Sequence, residues 1–471
     1  MTIVRPSISV LTPSQIERVH AYSLQILSDI GIQIASEKAR KLFRQAGARF
    51  LDDQTVSLNA DLIHWAMDAA PSALEIFDRR GRRAFALKPG AETRFGVGVT
   101  NLYYEQPGVR KVVPFALTHV ETAARLTEAL PAFDLLATPG VAGDLPPESA
   151  DLLVTLAMAA NTCKPLVLLV SEPRLFDTTL DLLQALFGDR AQKPFVLPYV
   201  NPITPLVLNE DTTEKMSSAI GRGFPIIFSN MGMSGATTPI TPGGTLALLN
   251  AELLGGLVFS QLVRKGAPIV LGSIPAGFDM QNMMSLYTPR TMLLNLACAE
   301  MMAHYGIPHS GTSGSGPGWG ADLPAASALW MNHLTSCLGK VGLAPFVGGN
   351  LDSLVFSPAM VVYAGEVVRL ARQFADGFTL DDQAVDTEDI RSVGAGGNFL
   401  GSEVTCRLFR DMMETSPIWP NMTLEQWQQN DRPQAASVLE RYTLDLIADL
   451  APPPDCQDLM AKGNAFIEKS L

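Results

Sequence analysis

This chain is short of the residue types that most often carry chemistry. Its six histidines are scattered, its five cysteines (Cys163, Cys298, Cys337, Cys406, Cys456) never pair as Cys-x-x-Cys, and only 17% of its residues are charged. The cysteine spacing suggests neither a disulfide framework nor a zinc knuckle, so the thiols read as small apolar side chains. His20, His64, His119, His304 and His333 show no metal-ligand spacing, and no metal site is expected. Basic residues are outnumbered 35 to 47, and no basic stripe offsets the formal net charge of −12. That balance argues against nucleic acid or an anionic membrane as partner. The first fifteen residues hold no apolar run of the secretory kind, and the longest apolar stretch, Leu246 to Val263, is broken by Asn250, Glu252 and Gln261. A buried helix is expected there rather than a membrane span, and a cytoplasmic location for the whole.

What the chain does have is a rhythm. Over 471 residues, 47% of them hydrophobic, there is ample material for a large core and for a homo-oligomeric contact. From residue 94 onward, short apolar runs recur every 30 to 43 residues: Arg94–Val99, Asp134–Pro139, Pro165–Val170, Phe195–Val200, Pro225–Met231, Pro268–Ser273, Ile307–Thr312 and Ala344–Gly349. Near-continuous apolar runs fit parallel strands buried on both faces. Helical stretches lie between them, as in Leu117–Leu130, Glu148–Thr162, Leu246–Arg264, Pro289–Tyr305 and Pro324–Lys340. Eight alternations predict an α/β fold, a (β/α)8 TIM barrel over 94–380, with a doubly wound sheet as the alternative. Residues 1–93 read as an N-terminal helical cap with a small β element, opened by Thr12 as N-cap and Pro13 at the first helical position. Residues 381–471 read as a C-terminal extension packing on the barrel, with Pro452-Pro453-Pro454 as a late linker.

Chemistry in such a barrel sits where the strands end. Those ends carry Thr100, Asn101, Pro139, Gly140, Ser171, Glu172, Asn201, Asn230, Ser273, His309 to Ser313 and Asn350. This set is mostly neutral, which suggests a site that positions its substrate while reactivity comes from elsewhere. The seventh strand runs into a glycine-rich loop, Gly311-Thr312-Ser313-Gly314-Ser315-Gly316-Pro317-Gly318-Trp319-Gly320-Ala321-Asp322. Glycines allow close backbone approach to a ligand, and the Trp319 indole suits a cation. Substrate binding is therefore assigned to Trp319, His309, Asn230, Asn350, Gly316, Gly318 and Asp322, with no catalytic residue named. An aldolase using Glu172 or Lys340 is disfavoured, since no strand run carries a lysine.

Several stretches together resemble the trimethylamine methyltransferase family. They are Thr237-Thr238-Pro239-Ile240-Thr241-Pro242-Gly243-Gly244-Thr245-Leu246 with Asn250-Ala251-Glu252-Leu253, Gly266-Ala267-Pro268-Ile269-Val270, Gly394-Ala395-Gly396-Gly397-Asn398-Phe399-Leu400, and the opening Leu11-Thr12-Pro13-Ser14-Gln15-Ile16. The resemblance implies a methyltransferase that moves a methyl group from a methylated amine to the Co(I) of a corrinoid (cobalamin) carried on a partner protein. Archaeal members carry pyrrolysine near the seventh strand, whereas this loop has only standard residues and resembles the glycine betaine:corrinoid branch. A quaternary substrate such as glycine betaine already has a neutral leaving group, dimethylglycine, and needs no adduct. The resemblance also points to Gly396, Gly397 and Asn398 for the corrinoid, although members often have histidine where Asn398 stands. Met280, Met283, Met284, Leu286 and Tyr287 would form part of the docking surface or, equally well, of a buried subunit contact. The alternatives are a betaine-binding or regulatory protein without transfer, and a methyltransferase for proline betaine, carnitine or trimethylamine.

Overall fold

The computed structural model describes residues 3–189, 192–311, 316–413 and 415–471. Eight parallel strands close on themselves in sequence order: β1 (Arg94–Val97), β2 (Leu135–Ala137), β3 (Leu166–Leu168), β4 (Val196–Val200), β5 (Ile226–Ser234), β6 (Ile269–Asp279), β7 (His309–Ser310) and β8 (Leu343–Val347). Pairing of β8 with β1 completes the ring. Each strand is followed by a helix: α1 (Leu117–Ala129), α2 (Ala150–Asn161), α3 (Phe176–Phe187), α4 (Glu210–Gly221), α5 (Pro242–Val263), α6 (Pro289–His304), α7 (Leu323–Leu338) and α8 (Pro358–Asp376). All eight anticipated apolar runs supply a barrel strand.

Alternation along the strands divides their side chains between two cores. Leu135, Ala137, Val167, Leu197, Tyr199, Ile227, Val270, Leu343 and Phe346 form the lumen cluster. Phe95, Val97, Leu136, Leu166, Leu168, Phe228 and Leu271 point outward beneath the helices. The lumen is closed at its N-terminal end by a hairpin, Leu74–Phe77 with Arg83–Leu87, whose Ile76, Phe85 and Leu87 join that cluster. The Phe77 N–H donates to Pro194 O and the Arg79 N–H to Cys163 O, fastening the hairpin ahead of β4 and β3.

Helix α5 explains the longest apolar stretch. It is buried for most of its length and packs on β5, on β6 and on two N-terminal helices, Pro13–Asp29 and Ala60–Ala69. The first of these starts as its sequence specifies, with Thr12 and Gln15 forming a reciprocal capping box. The Pro452-Pro453-Pro454 run is a packed turn rather than a free linker: Pro453 is buried, and helix Cys456–Ser470 lies on α2 and α3 with Gly463 against Leu156. Asp455 in this turn takes both Arg79 guanidinium nitrogens at 2.6 Å. Between α8 and Ile418 the chain makes an exposed excursion through helices Asp382–Val385, Thr387–Val393 and Glu403–Met412, none of which buries a described side chain.

Close packing of α5 on β5 generates a stability prediction. A β-carbon at Gly256 would overlap the Phe228 ring, whereas one at Gly221, at the end of α4, would meet nothing within 4 Å. Gly256→Ala should destabilise the fold by about 1–3 kcal/mol through overpacking despite better helix propensity. Gly221→Ala should be neutral or stabilising by up to about 1 kcal/mol. Urea midpoints of the two variants check the contrast.

Candidate functional site

The C-terminal ends of the strands gather a set of buried polar atoms without hydrogen-bond partners. They include Asn101 Oδ1, Tyr199 Oη, Ser229 Oγ and Asn350 Nδ2. Buried polar groups are ordinarily satisfied, so this concentration of open donors and acceptors marks a candidate ligand site. The register pairs Tyr199 with Ile227, Ser229 with Gly272 and Gly272 with Ser310, so these positions share the lumen face. Tyr199 meets Phe346 edge to face, with ring centroids 5.2 Å apart. Burial holds its hydroxyl neutral, with a pKa pushed up to about 12. Asn201, one strand-repeat above Tyr199, is exposed at the mouth and donates its side-chain amide to Ser229 O at 2.7 Å. Gly272 must be glycine because a β-carbon there would collide with Ser229 Oγ and Ser310 O. The inward set from Tyr199 to the mouth is thus aromatic, amide and hydroxyl.

Backbone strain clusters at the same end. Val99 (φ 132°) and Thr100 (φ 21°) follow β1, and Leu351, Asp352 and Ser353 (φ 49°, 58° and 63°) follow β8. Non-glycine residues in such conformations cost on the order of 1 kcal/mol each or more, and persist only where their surroundings hold them. Here the two segments hold each other: Leu102 N and Tyr103 N both donate to Leu354 O at 3.0 Å, and Leu351 N donates to Gly318 O at 3.0 Å.

The structure separates the residues that the sequence reading had grouped. Asn350 is buried beside β8 with its amide donor free. Asn230 points outward from β5: its amide donates to Leu249 O and to Glu252 Oε2, both at 2.9 Å, and its Oδ1 accepts from Ser273 Oγ at 2.8 Å. His309 also faces the helix layer, in register with outward Leu271. Its Nδ1–H donates to Val341 O at 2.8 Å, and burial lowers its pKa to about 4, leaving the ring neutral. Asp322 caps α7, accepting from Ala325 N at 2.9 Å and Trp319 N at 2.7 Å. That turn leaves the Trp319 side chain 72% exposed on the rim rather than closed over the lumen. Gly318 passes too close to Ala325 for a side chain, while Gly316 is buried near Ala328. Thr312 to Ser315 lie outside the described residues. Gly396, Gly397 and Asn398 are exposed in a turn after helix Thr387–Val393, and Gly397 is fixed there by close approach to Val393 O. Of the aldolase residues, Glu172 pairs with Arg174 at 2.9 Å, and Lys340 lines a cavity with Arg5 and Glu92 ahead of the barrel strands. Among the described residues no group of three or more His, Cys, Asp or Glu side chains could hold a metal ion.

Sequence reasoning missed a buried carboxylate behind the wall. Glu252, on α5, accepts from Thr204 Oγ1 at 2.8 Å, Leu206 N at 2.5 Å and Asn230 Nδ2 at 2.9 Å. It ties the loop after β4 to β5 and, through Asn230 and Ser273, to β6. Burial pushes its pKa up, and these three hydrogen bonds pull it only partway back. A polar break in an otherwise apolar helix was the available signal.

Around the mouth runs a rim of exposed apolar side chains, one or more from nearly every loop after a strand: Leu102 and Tyr103, Val141, Ile203, Ile240, Met280 and Met283, Trp319 and Leu323, and Leu354. Patches of this kind mark interaction sites. Of the anticipated docking residues, Met280, Met283, Met284 and Leu286 are exposed, while Tyr287 turns inward, close enough to Tyr199 and Asp352 for both to raise its pKa.

Comparison with known proteins places this geometry. The family model described as trimethylamine methyltransferase (MTTB) matches residues 2–470. Trimethylamine methyltransferase MttB of Desulfitobacterium hafniense is 26% identical over 439 residues, covering 90% of this chain and 88% of that protein. A glycine betaine methyltransferase, also from D. hafniense, is 24% identical over 475 residues, covering 98% and 97%. Among solved structures, the monomethylamine methyltransferase MtmB of Methanosarcina barkeri aligns with a TM-score of 0.50 at 11% identity, over 96% of this chain and 97% of that one. The hydroxylamine complex of MtmB aligns with a TM-score of 0.55 at 12% identity, over 94% and 89%. The structural likeness shows the shared barrel fold.

The Glu252 site generates a pH prediction. Its folded-state pKa stands above the unfolded value of about 4.3, so the protonated form favours the fold. The stability of the native chain relative to Glu252→Gln should be greatest below that value and decline as pH rises through the folded pKa. Glu252→Ala should cost about 1–3 kcal/mol for each buried donor left without an acceptor. Urea unfolding of the three proteins across a pH series tests both.

Proposed function

The chain belongs to the trimethylamine methyltransferase family, and on that premise we propose that it moves a methyl group from a quaternary amine, glycine betaine foremost, to the Co(I) of a corrinoid carried by a separate protein. One observation carries the reading: an apolar rim surrounds a lumen whose inward-facing upper residues, among those described, include no lysine, cysteine, histidine or carboxylate. Among the described residues its potential nucleophiles are neutral hydroxyls such as those of Ser229 and Tyr199, the latter kept protonated by burial. The lumen is suited to holding a methylated ammonium group against aromatic faces, where a desolvated contact is worth about 2 kcal/mol.

The corrinoid supplies the nucleophile when its carrier docks. In the displacement the methyl carbon–nitrogen bond breaks, the methyl group leaves the substrate and the electron pair stays on nitrogen. Dimethylglycine departs neutral at nitrogen, so no general acid is required of the chain. Tyr199 and Phe346 form the lumen floor, the amides of Asn201 and Asn350 are available to the substrate's carboxylate, and the rim excludes water once a partner covers it. In this reading Trp319 belongs with Met280, Met283 and Leu323 in the docking rim, and the exposed turn of Gly396, Gly397 and Asn398 is open to contact with the corrinoid carrier.

The test is anaerobic: purified chain with cob(I)alamin and either glycine betaine, trimethylamine or proline betaine, followed by methylcobalamin absorbance. Methylation from betaine is expected. If betaine binds by calorimetry and no amine methylates free cobalamin or a cognate corrinoid protein, the chain is a binding protein and the reading fails. Met283→Asp should lower transfer to the cognate corrinoid protein at least tenfold while leaving betaine binding unchanged.

A further inference from the structure

The lumen is neutral, yet one carboxylate is delivered to its mouth at a measurable conformational cost. Asp352 is the middle of three consecutive left-handed residues, Leu351, Asp352 and Ser353, none of them glycine. A run of that kind does not form by local preference. It is held by Leu351 N on Gly318 O, by Leu354 N on Leu351 O at 3.2 Å, and by the two donors from Leu102 and Tyr103 on Leu354 O. The Asp352 side chain is fixed in turn by the loop after β6: Ser285 N and Ser285 Oγ both donate to Oδ2 at 3.0 Å. Three loops therefore converge to hold one acid group in place.

Its second oxygen accepts no hydrogen bond from a described residue, and no described lysine, arginine or histidine pairs with it. Arg110, on the neighbouring β1 loop, is committed to Glu105 at 3.7 Å. Tyr287 follows two residues after Ser285 on the same hairpin, close enough to Asp352 for the carboxylate to add to burial, the larger cause, in raising its pKa. A half-buried carboxylate with one oxygen free beside a tyrosine is the complement of a soft cation: the acid supplies the charge and the ring supplies a face.

The geometry points to Asp352 as the charge that selects the substrate, holding the ammonium end of a methylated amine against Tyr287. This rests on the methylated-amine reading above and goes beyond it in naming the group that distinguishes a cation from its neutral isostere. A substrate carrying its own carboxylate must then lie with that end turned from Asp352. The strain also acquires a reason, since a relaxed turn would leave the acid in solvent, where a surface charge pair is worth little.

The experiment measures binding apart from turnover. Calorimetric titration of tetramethylammonium, a cation with no carboxylate, is compared with 3,3-dimethylbutyrate, which keeps the shape of betaine and replaces nitrogen by carbon. Asp352→Asn keeps an acceptor for Ser285 and removes only the charge. It should weaken tetramethylammonium at least tenfold, leave dimethylbutyrate equal or tighter, and abolish the salt dependence of cation binding. Ser285→Ala, which keeps the charge and loses one hydrogen bond, should stay within about threefold of the native chain. Equal tetramethylammonium binding by native and Asp352→Asn proteins overturns the inference, as does a native chain that does not bind the cation. If the native chain binds it through Asp352 but methylates no corrinoid from any amine, the cation site stands and the methyl-transfer reading falls. If transfer occurs and Asp352→Asn is unaffected in kcat/KM and in cation binding, the reading stands and this inference falls.

Discussion

Closure of eight parallel strands is the constraint from which the rest of this molecule follows. Once β8 pairs with β1, every strand must present alternate side chains to the lumen and to the helices, with no free edge to absorb an exception. The lumen then fills with Leu, Val, Ile and one hairpin plug, and the N-terminal end is sealed. The loops after the strands are left as the one open end, so polar and strained residues collect there. Helix α5 shows how demanding the closure is, since glycine at 256 is the only residue that lets it lie on Phe228.

That same constraint explains what could be read in advance. Strand positions were legible because short apolar runs at regular spacing have few other uses, and several helices were marked by caps such as Thr12 with Pro13. The face each strand residue takes was not legible. Parallel strands buried on both sides have no polar–apolar alternation to betray their phase. Asn230 and Asn201 therefore looked equivalent in the sequence, yet one faces α5 and the other the mouth. His309 was misread for the same reason. Trp319 could not be placed for another reason: its indole stands on the exposed rim because Asp322 caps α7 and fixes the backbone before it. Only a three-dimensional turn could reveal the strain at Asp352, for nothing in Leu351-Asp352-Ser353 announces a left-handed conformation.

Two carboxylates divide the remaining work, and their environments set the division. Glu252 is wholly buried, surrounded by donors, and pushed toward its neutral form, so it serves as a staple between the β4 loop, β5 and β6. Asp352 is half exposed and held by two donors on one oxygen, with the other free. A charge placed at Glu252 would be costly to keep, whereas one at Asp352 remains partly hydrated until a ligand covers it. Acids of the same chemistry thus take structural and recognition roles by position alone.

Keeping charge off the strands and on the loops has a consequence for reactivity. A carboxylate inside the lumen would stabilise an ammonium substrate at least as well as the transition state in which its positive charge is being lost, and uniform or ground-state binding of that kind does not raise the rate. In the proposed arrangement Asp352 stands at the partly hydrated rim, where its contact with a cation is screened, so it stabilises the ground state less than a buried carboxylate would. The open apolar rim follows from the same logic. If a partner brings the nucleophile, as proposed, the lumen must admit it, and exposed Met280, Met283 and Leu323 are the surface that partner would cover. The neutral lumen, the single fixed acid and the apolar rim are in this sense one arrangement, each explicable only with the other two.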